Sequence, residues 1–160
     1  MAMARLLVFI AVVLLPAIVS ATRPLATPFT VEGAVYCDTC RFGFETSAST
    51  PISGARVRIE CKNRDTMKLV YSVDGVTNAA GKYKIQVNED HQEQLCDAVL
   101  VSSPQLNCAQ VDPGRERARV ILTGNNGMTS TRRYANAMGF VRDHPVAVCS
   151  ELLKLYQEDE

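Results

Sequence analysis

The side chains with the means to do chemistry are six cysteines, two histidines, an acidic run and a series of arginines. Cys37-Asp38-Thr39-Cys40 has a C-x-x-C spacing, and the remaining cysteines are Cys61, Cys96, Cys108 and Cys149. A close pair of this kind serves redox chemistry when it opens a helix after a strand, and zinc when a second close pair or nearby histidines complete four ligands. Here the pair follows an apparent strand and runs into a Gly/Ser/Thr-rich segment. There is no second close pair, and His91 and His144 lie far apart. The expected role is therefore structural, with no metal and no cofactor. An even cysteine count in an oxidising compartment reads as three disulfides, and spacing alone leaves all fifteen pairings open.

Catalysis has little to work with. G-x-S-x-G, H-E-x-x-H and P-loop patterns do not occur. His91 sits among Asn88, Glu89, Asp90, Gln92 and Glu93, a run that reads as a solvated loop. That run lacks the ligand spacing and glycine of an EF-hand. His144 precedes Pro145 in an apparent turn. A secreted enzyme remains an alternative because a histidine can pair with a distant serine. Loss of a measured activity on changing His91 or His144 would support it. Arg115, Arg117 and Arg119 share one strand parity, and Arg132-Arg133 follow. Together they form a candidate patch for an acidic partner such as pectin or an acidic ectodomain. The competing reading is wet-face charge that guards a strand edge. Tyr134, Met138 and Phe140 lie beside the patch, with the core as their expected place.

These residues need elements to hold them, and the chain beyond residue 28 has the pattern of strands. Phe29, Val31 and Gly33 alternate with polar neighbours and Val35-Tyr36 continues the strand, while Ala55, Val57, Ile59 and Cys61 alternate with Arg56, Arg58 and Glu60. Tyr83, Ile85 and Val87 alternate with Lys82, Lys84 and Gln86, and Ala118, Val120 and Leu122 with Arg117 and Arg119. Such alternation marks strands with one dry and one wet face. Lys68–Val73 and Leu95–Ser102 are further strands, the second apolar on both parities and so central. Asp74-Gly75, Asn78–Gly81, Pro113-Gly114 and Asn125–Gly127 supply turn chemistry between them. The expected fold is all-β, an antiparallel sandwich or barrel of about seven strands. The Gly54–Tyr83 stretch resembles transthyretin-like sandwiches, which raises a carrier of a small apolar ligand as a third reading. Val148, Leu152, Leu153 and Tyr156 recur at helical spacing, so a short C-terminal helix is expected, with a last strand as the alternative.

The N-terminus has a different character. Arg5 precedes an apolar run from Leu6 to Val19, followed by the small residues Ser20 and Ala21. The run is shorter than the roughly 20 residues of a membrane span and has the layout of a secretory signal. The expected organisation is a signal peptide over 1–21, a flexible leader over 22–28 and one disulfide-bonded β domain over 29–160. The whole chain has 17 basic and 17 acidic side chains. Removal of residues 1–21 leaves 16 basic and 17 acidic, without the cationic excess of a nucleic-acid binder. No later segment is apolar for long enough to span a membrane. The expected location is the extracellular space.

Glu32-Gly33-Ala34-Val35-Tyr36-Cys37-Asp38-Thr39-Cys40-Arg41 resembles the signature of the Ole e I family, the secreted plant proteins related to the major olive pollen allergen. The cysteine spacings and the Cys149–Leu153 ending fit the same family. The resemblance implies an extracellular disulfide-bonded β-sandwich or barrel with Cys37–Cys108, Cys40–Cys149 and Cys61–Cys96 paired. It also implies a non-enzymatic role in pollen hydration, germination and tube growth. Partners would be a receptor kinase or another extracellular protein, or a cell-wall polysaccharide, with IgE added for allergenic members. Many relatives carry an N-glycan, whereas no asparagine here begins an Asn-x-Ser/Thr sequon, so an unglycosylated protein is expected.

Overall fold

A computed structural model describes residues 28–158. The expected signal segment, and the leader apart from Pro28, lie outside the described residues. Among the described residues, ten strands precede one helix. They are β1 (Phe29–Asp38), β2 (Thr50–Pro51), β3 (Arg56–Asn63), β4 (Leu69–Val76), β5 (Lys82–Val87), β6 (Gln94–Ser102), β7 (Gln110–Val111), β8 (Arg117–Val120), β9 (Arg132–Tyr134) and β10 (Met138–Val141). The helix, α1, is Cys149–Glu158. Seven strands have four or more residues; β2, β7 and β9 are short additions.

The strands form two sheets. One has the order β4-β3-β6-β8 and is antiparallel throughout, with β6 in the interior as its double-sided apolar pattern requires. The other is organised around β1. Its first half, Phe29–Ala34, pairs antiparallel with β5 and parallel with β9, while Val35–Asp38 pairs parallel with β10 and Tyr36-Cys37 antiparallel with β2. This sheet is therefore mixed, where a purely antiparallel one was expected. The parallel partners β9 and β10 come from late in the chain and are joined by a short link; β9 is too short to show a period, and β10 is buried at every position.

The dry parities meet between the sheets. Phe29, Val31, Val35, Tyr83, Ile85 and Val87 pack against Val57, Ile59, Ala98, Ala118 and Val120 in one buried cluster. Burying an aliphatic side chain of this kind stabilises by about 1.5–3 kcal/mol. Asp74-Gly75, read from sequence as a turn, lies inside β4, with Gly75 opposite Val57. A Cβ on Gly75 would collide with the Ile85 side chain from the facing sheet, so the glycine serves close packing here and not a turn. The C-terminal segment is a helix, tethered at its first turn by Cys149. Tyr156 meets the Phe44 ring edge-on at 5.4 Å.

Candidate functional site

All six cysteines are buried or bonded within the fold: Cys37–Cys108, Cys40–Cys149 and Cys61–Cys96 form disulfides and none is free. The C-x-x-C pair therefore reaches two different partners and is not a dithiol centre. One described group has metal-ligand residues within 4.8 Å of one another: Cys61, His91 and Cys96. Its two sulfurs are bonded to each other, so they do not offer thiolates.

The signature segment is used by the fold itself. The Asp38 carboxylate is fully buried. Its Oδ1 accepts from the Cys40 N–H at 3.1 Å and the Arg41 N–H at 2.7 Å, and its Oδ2 from the Gly43 N–H at 2.8 Å. This is the local turn chemistry aspartate does well. It holds Arg41 at a φ of 62°. From there the guanidinium donates to the carbonyls of Arg142 at 2.7 Å and Asp143 at 3.0 Å. Thr39 Oγ1 donates to the Ala48 carbonyl at 2.8 Å. Gly33 and Tyr36 each take part in a glycine–aromatic cross-strand pair. Gly33 lies opposite Tyr83, and Tyr36 opposite Gly139. A Cβ on Gly33 would fall within 2.5 Å of Tyr83 Cζ, so the ring occupies the space a side chain would need. Val35 fills the core, and Glu32 on the wet face pairs with Lys84 Nζ at 3.0 Å and approaches Arg132 Nε at 3.6 Å.

The predicted arginine patch is not one surface. Arg117 and Arg119 share the outer face of the β4-β3-β6-β8 sheet, where they grip the buried Asp97. Arg117 Nη1 lies 3.0 Å from Asp97 Oδ2, and Arg119 Nε lies 2.6 Å from Oδ1. The demand for two cations comes from register: Glu60 on β3 stands directly opposite Asp97 on β6, and like charges so placed repel. Arg58 and Arg56 pair with Asp74 on the same sheet, at 2.6 and 3.3 Å. Arg115 precedes β8 and donates from Nε to the Gly43 carbonyl at 2.9 Å. Arg132 lies on the other sheet beside Glu32. Arg133 is buried, which corrects its place in the patch. Its guanidinium donates to the carbonyls of Ile121, Thr123 and Ser130 and lies over the Phe29 ring at 4.9 Å. Position 133 has the dry parity of β9, and loop carbonyls satisfy the charge there.

His91 also departs from its expected setting. Its flanking acids are exposed, but the histidine is buried and packs against Tyr71 with ring centroids 4.6 Å apart and the planes tilted by 47°. Its Nδ1 lies 3.0 Å from Gln94 Oε1 and its Nε2 3.2 Å from the Asn88 carbonyl, so neither hydrogen-bond partner is a nucleophile. The backbone N–H of His91 bonds Leu122 O at 2.8 Å and draws the loop inward. Met138 and Phe140 are core residues, whereas Tyr134 is 70% exposed.

An open groove of about 470 Å³ lies on the outer face of the β1 sheet. Gly33, Ala34, Ala135 and Ala137 line it together with Glu32, Lys82, Lys84 and Tyr134. No single motif marks it in the sequence. The legible signal was the wet parity of Lys82 and Lys84, without any indication that Tyr134 would face them. A second described cavity of about 290 Å³ lies beside the Asp38 turn and includes Asp112. Burial raises the Asp112 carboxyl above its usual range, and the neighbouring Asp38 adds to the effect. Both spaces are open to solvent.

Comparison with known proteins agrees with this arrangement. The chain is 55% identical over 139 residues to Protein DOWNSTREAM OF FLC of Arabidopsis thaliana, covering 87% of this chain and 85% of that protein. It is 44% identical over 141 residues to Pollen-specific protein C13 of Zea mays, covering 88% and 83%. The crystal structure of the major plantain pollen allergen Pla l 1 superposes with a TM-score of 0.68 at 29% identity, covering 75% of this chain and 98% of that one. Residues 27–157 match the family model described as "Pollen protein Ole e 1 like", and the chain belongs to that family.

Proposed function

We propose that this chain is a secreted, non-enzymatic plant protein that acts in pollen hydration, germination and tube growth by binding an extracellular receptor or a cell-wall component. The observation that carries the reading is the use made of residues 32–41. The most specific stretch of the chain is spent on a buried aspartate turn, two disulfides and a glycine–tyrosine contact, with no nucleophile, base and charge-stabilising group converging on it. The chemistry left to solvent is displayed on two charged sheet faces, which suits recognition more than turnover. The signal-like N-terminus and the disulfides support an extracellular setting. Family membership, with relatives named as pollen-specific proteins and pollen allergens, supports the tissue, and supports IgE as a partner if the protein is allergenic.

Affinity capture tests this reading. The oxidised protein, immobilised and exposed to pollen-tube or stigma extract at physiological salt, should retain a defined ectodomain or wall polysaccharide. Retention of neither would remove the proposal.

A further inference from the structure

The groove over β1 has features that the family assignment does not explain. Its floor is made of small residues, Gly33 and Ala34 on β1 with Ala135 and Ala137 after β9. Lys82 and Lys84 stand on the β5 side and Tyr134 on the β9 side. Glu32 is ion-paired to Lys84, and Arg132 lies close by, so cations outnumber anions at the site. Tyr134 presents a largely exposed ring against this small-residue floor, while Tyr83 borders the groove with a buried hydroxyl that has no hydrogen-bond partner.

We infer that this groove binds an acidic saccharide, with the apolar face of a uronate ring on Tyr134 and its carboxylate on Lys82 and Lys84. The volume lies within the range of about 300–1,000 Å³ usual for small-ligand sites. An exposed tyrosine offers a rigid apolar plate with a polar tip, which matches a sugar ring that has an apolar face and hydroxyl edges. Lysines supply a point charge for a carboxylate without demanding fork geometry. An acidic peptide fits less well. Strand addition needs a free edge, and β1 at the floor is bonded to β5 on one side and β9 on the other, so a peptide strand would add at the outer edge of β5 or β9, away from the small-residue floor.

This assignment rests on the binding-module reading above and names a ligand class and a surface for it. The test is a two-dimensional NMR titration of the folded, oxidised protein with trigalacturonate, with a neutral galactose trimer and an aspartate tetrapeptide as comparators. Saturable shifts at Ala34, Lys82, Lys84, Tyr134 and Ala135 with the uronate alone, at millimolar affinity or tighter, are the expected result. Tyr134→Ala, at an exposed position, should weaken that binding about tenfold while leaving the rest of the spectrum in place. Lys82→Gln should weaken it and reduce its salt dependence. Equal shifts with the neutral trimer or the peptide, or no shift at the groove, would overturn the assignment. Shifts confined to Arg117 and Arg119 would also overturn it while leaving wall binding as a function intact, and receptor capture by the same protein would stand independently.

Discussion

Asp38 and Asp97 are both aspartates withdrawn from water on sheet strands, and they are satisfied in opposite ways. Asp38 accepts hydrogen bonds from three backbone N–H groups of its own turn. Those donors belong to the chain path, so the carboxylate determines where the backbone goes. Asp97 is held by two arginine side chains whose other ends remain in solvent, with side-chain exposures of 41% and 55%. Its carboxylate therefore sets what the surface displays. One acid builds the frame and the other orients a charged face. Residues of the same type thus need different tests, and those tests separate architecture from recognition.

The sharpest break is Asp38→Ala. Three N–H groups, one of them fully buried, would lose their acceptor, at a cost of about 3–5 kcal/mol. Chemical denaturation should show this loss, with a smaller one for Asp38→Asn, which keeps one acceptor oxygen. A loss no larger than that of a surface change would mean that the turn holds without its aspartate. Beneath Asp97, the Cys61–Cys96 bridge closes a separation of 35 residues between β3 and β6. Replacing both cysteines by alanine should cost about 4 kcal/mol on the loop-entropy account. Equal denaturation midpoints for the two oxidised proteins would contradict it. Asp97→Asn should cost less, about 1–2 kcal/mol, because Arg117 and Arg119 can turn to water. The diagnostic readout is greater mobility of both arginine side chains in NMR relaxation, with the β1 turn unaffected.

The smallest expected effects are pH-dependent and opposite in sign. Asp112 is raised by burial first and then by Asp38, so it favours the fold while protonated and loses that contribution as pH rises through its folded-state value. Asp112→Asn should raise the melting temperature near neutrality, and the gain should fade in acid. Asp74 is lowered, first by its hydrogen bond from Arg58, so its contribution is present above the ordinary carboxylate range and lost as pH falls. Asp74→Asn should flatten the acid limb of the stability profile. Thermal melts across pH 2–8 distinguish the two signs.

Much of the sandwich was legible because strand alternation repeats wherever one face is dry. β3, β5 and β8 carry that period openly, and β6 shows its central place by being apolar on both parities. β9 and β10 were not legible. β9 has three residues, too few to establish a period, β10 is buried at every position and so shows no alternation, and each depends on β1 for parallel pairing. The burial of Arg133 is hidden from the sequence for a related reason. An arginine beside Arg132 looks like wet-face charge until the loop carbonyls of Ile121, Thr123 and Ser130 are seen to surround it. His91 shows the same limit, since its exposed acidic neighbours gave no hint of the Tyr71 ring beneath it.

By itself the sequence determined the β periodicity and the ten-residue stretch that resembles the family, because both are local: alternation and motif identity depend on neighbours along the chain. Only the tertiary structure decided which arginines share a face, that the glycine at position 33 accommodates Tyr83, and that Lys82, Lys84 and Tyr134 meet across one groove. Those facts depend on register between strands far apart in the chain. Register is set by the whole buried face at once, because a slip of one residue would turn every side chain of a strand to the opposite side.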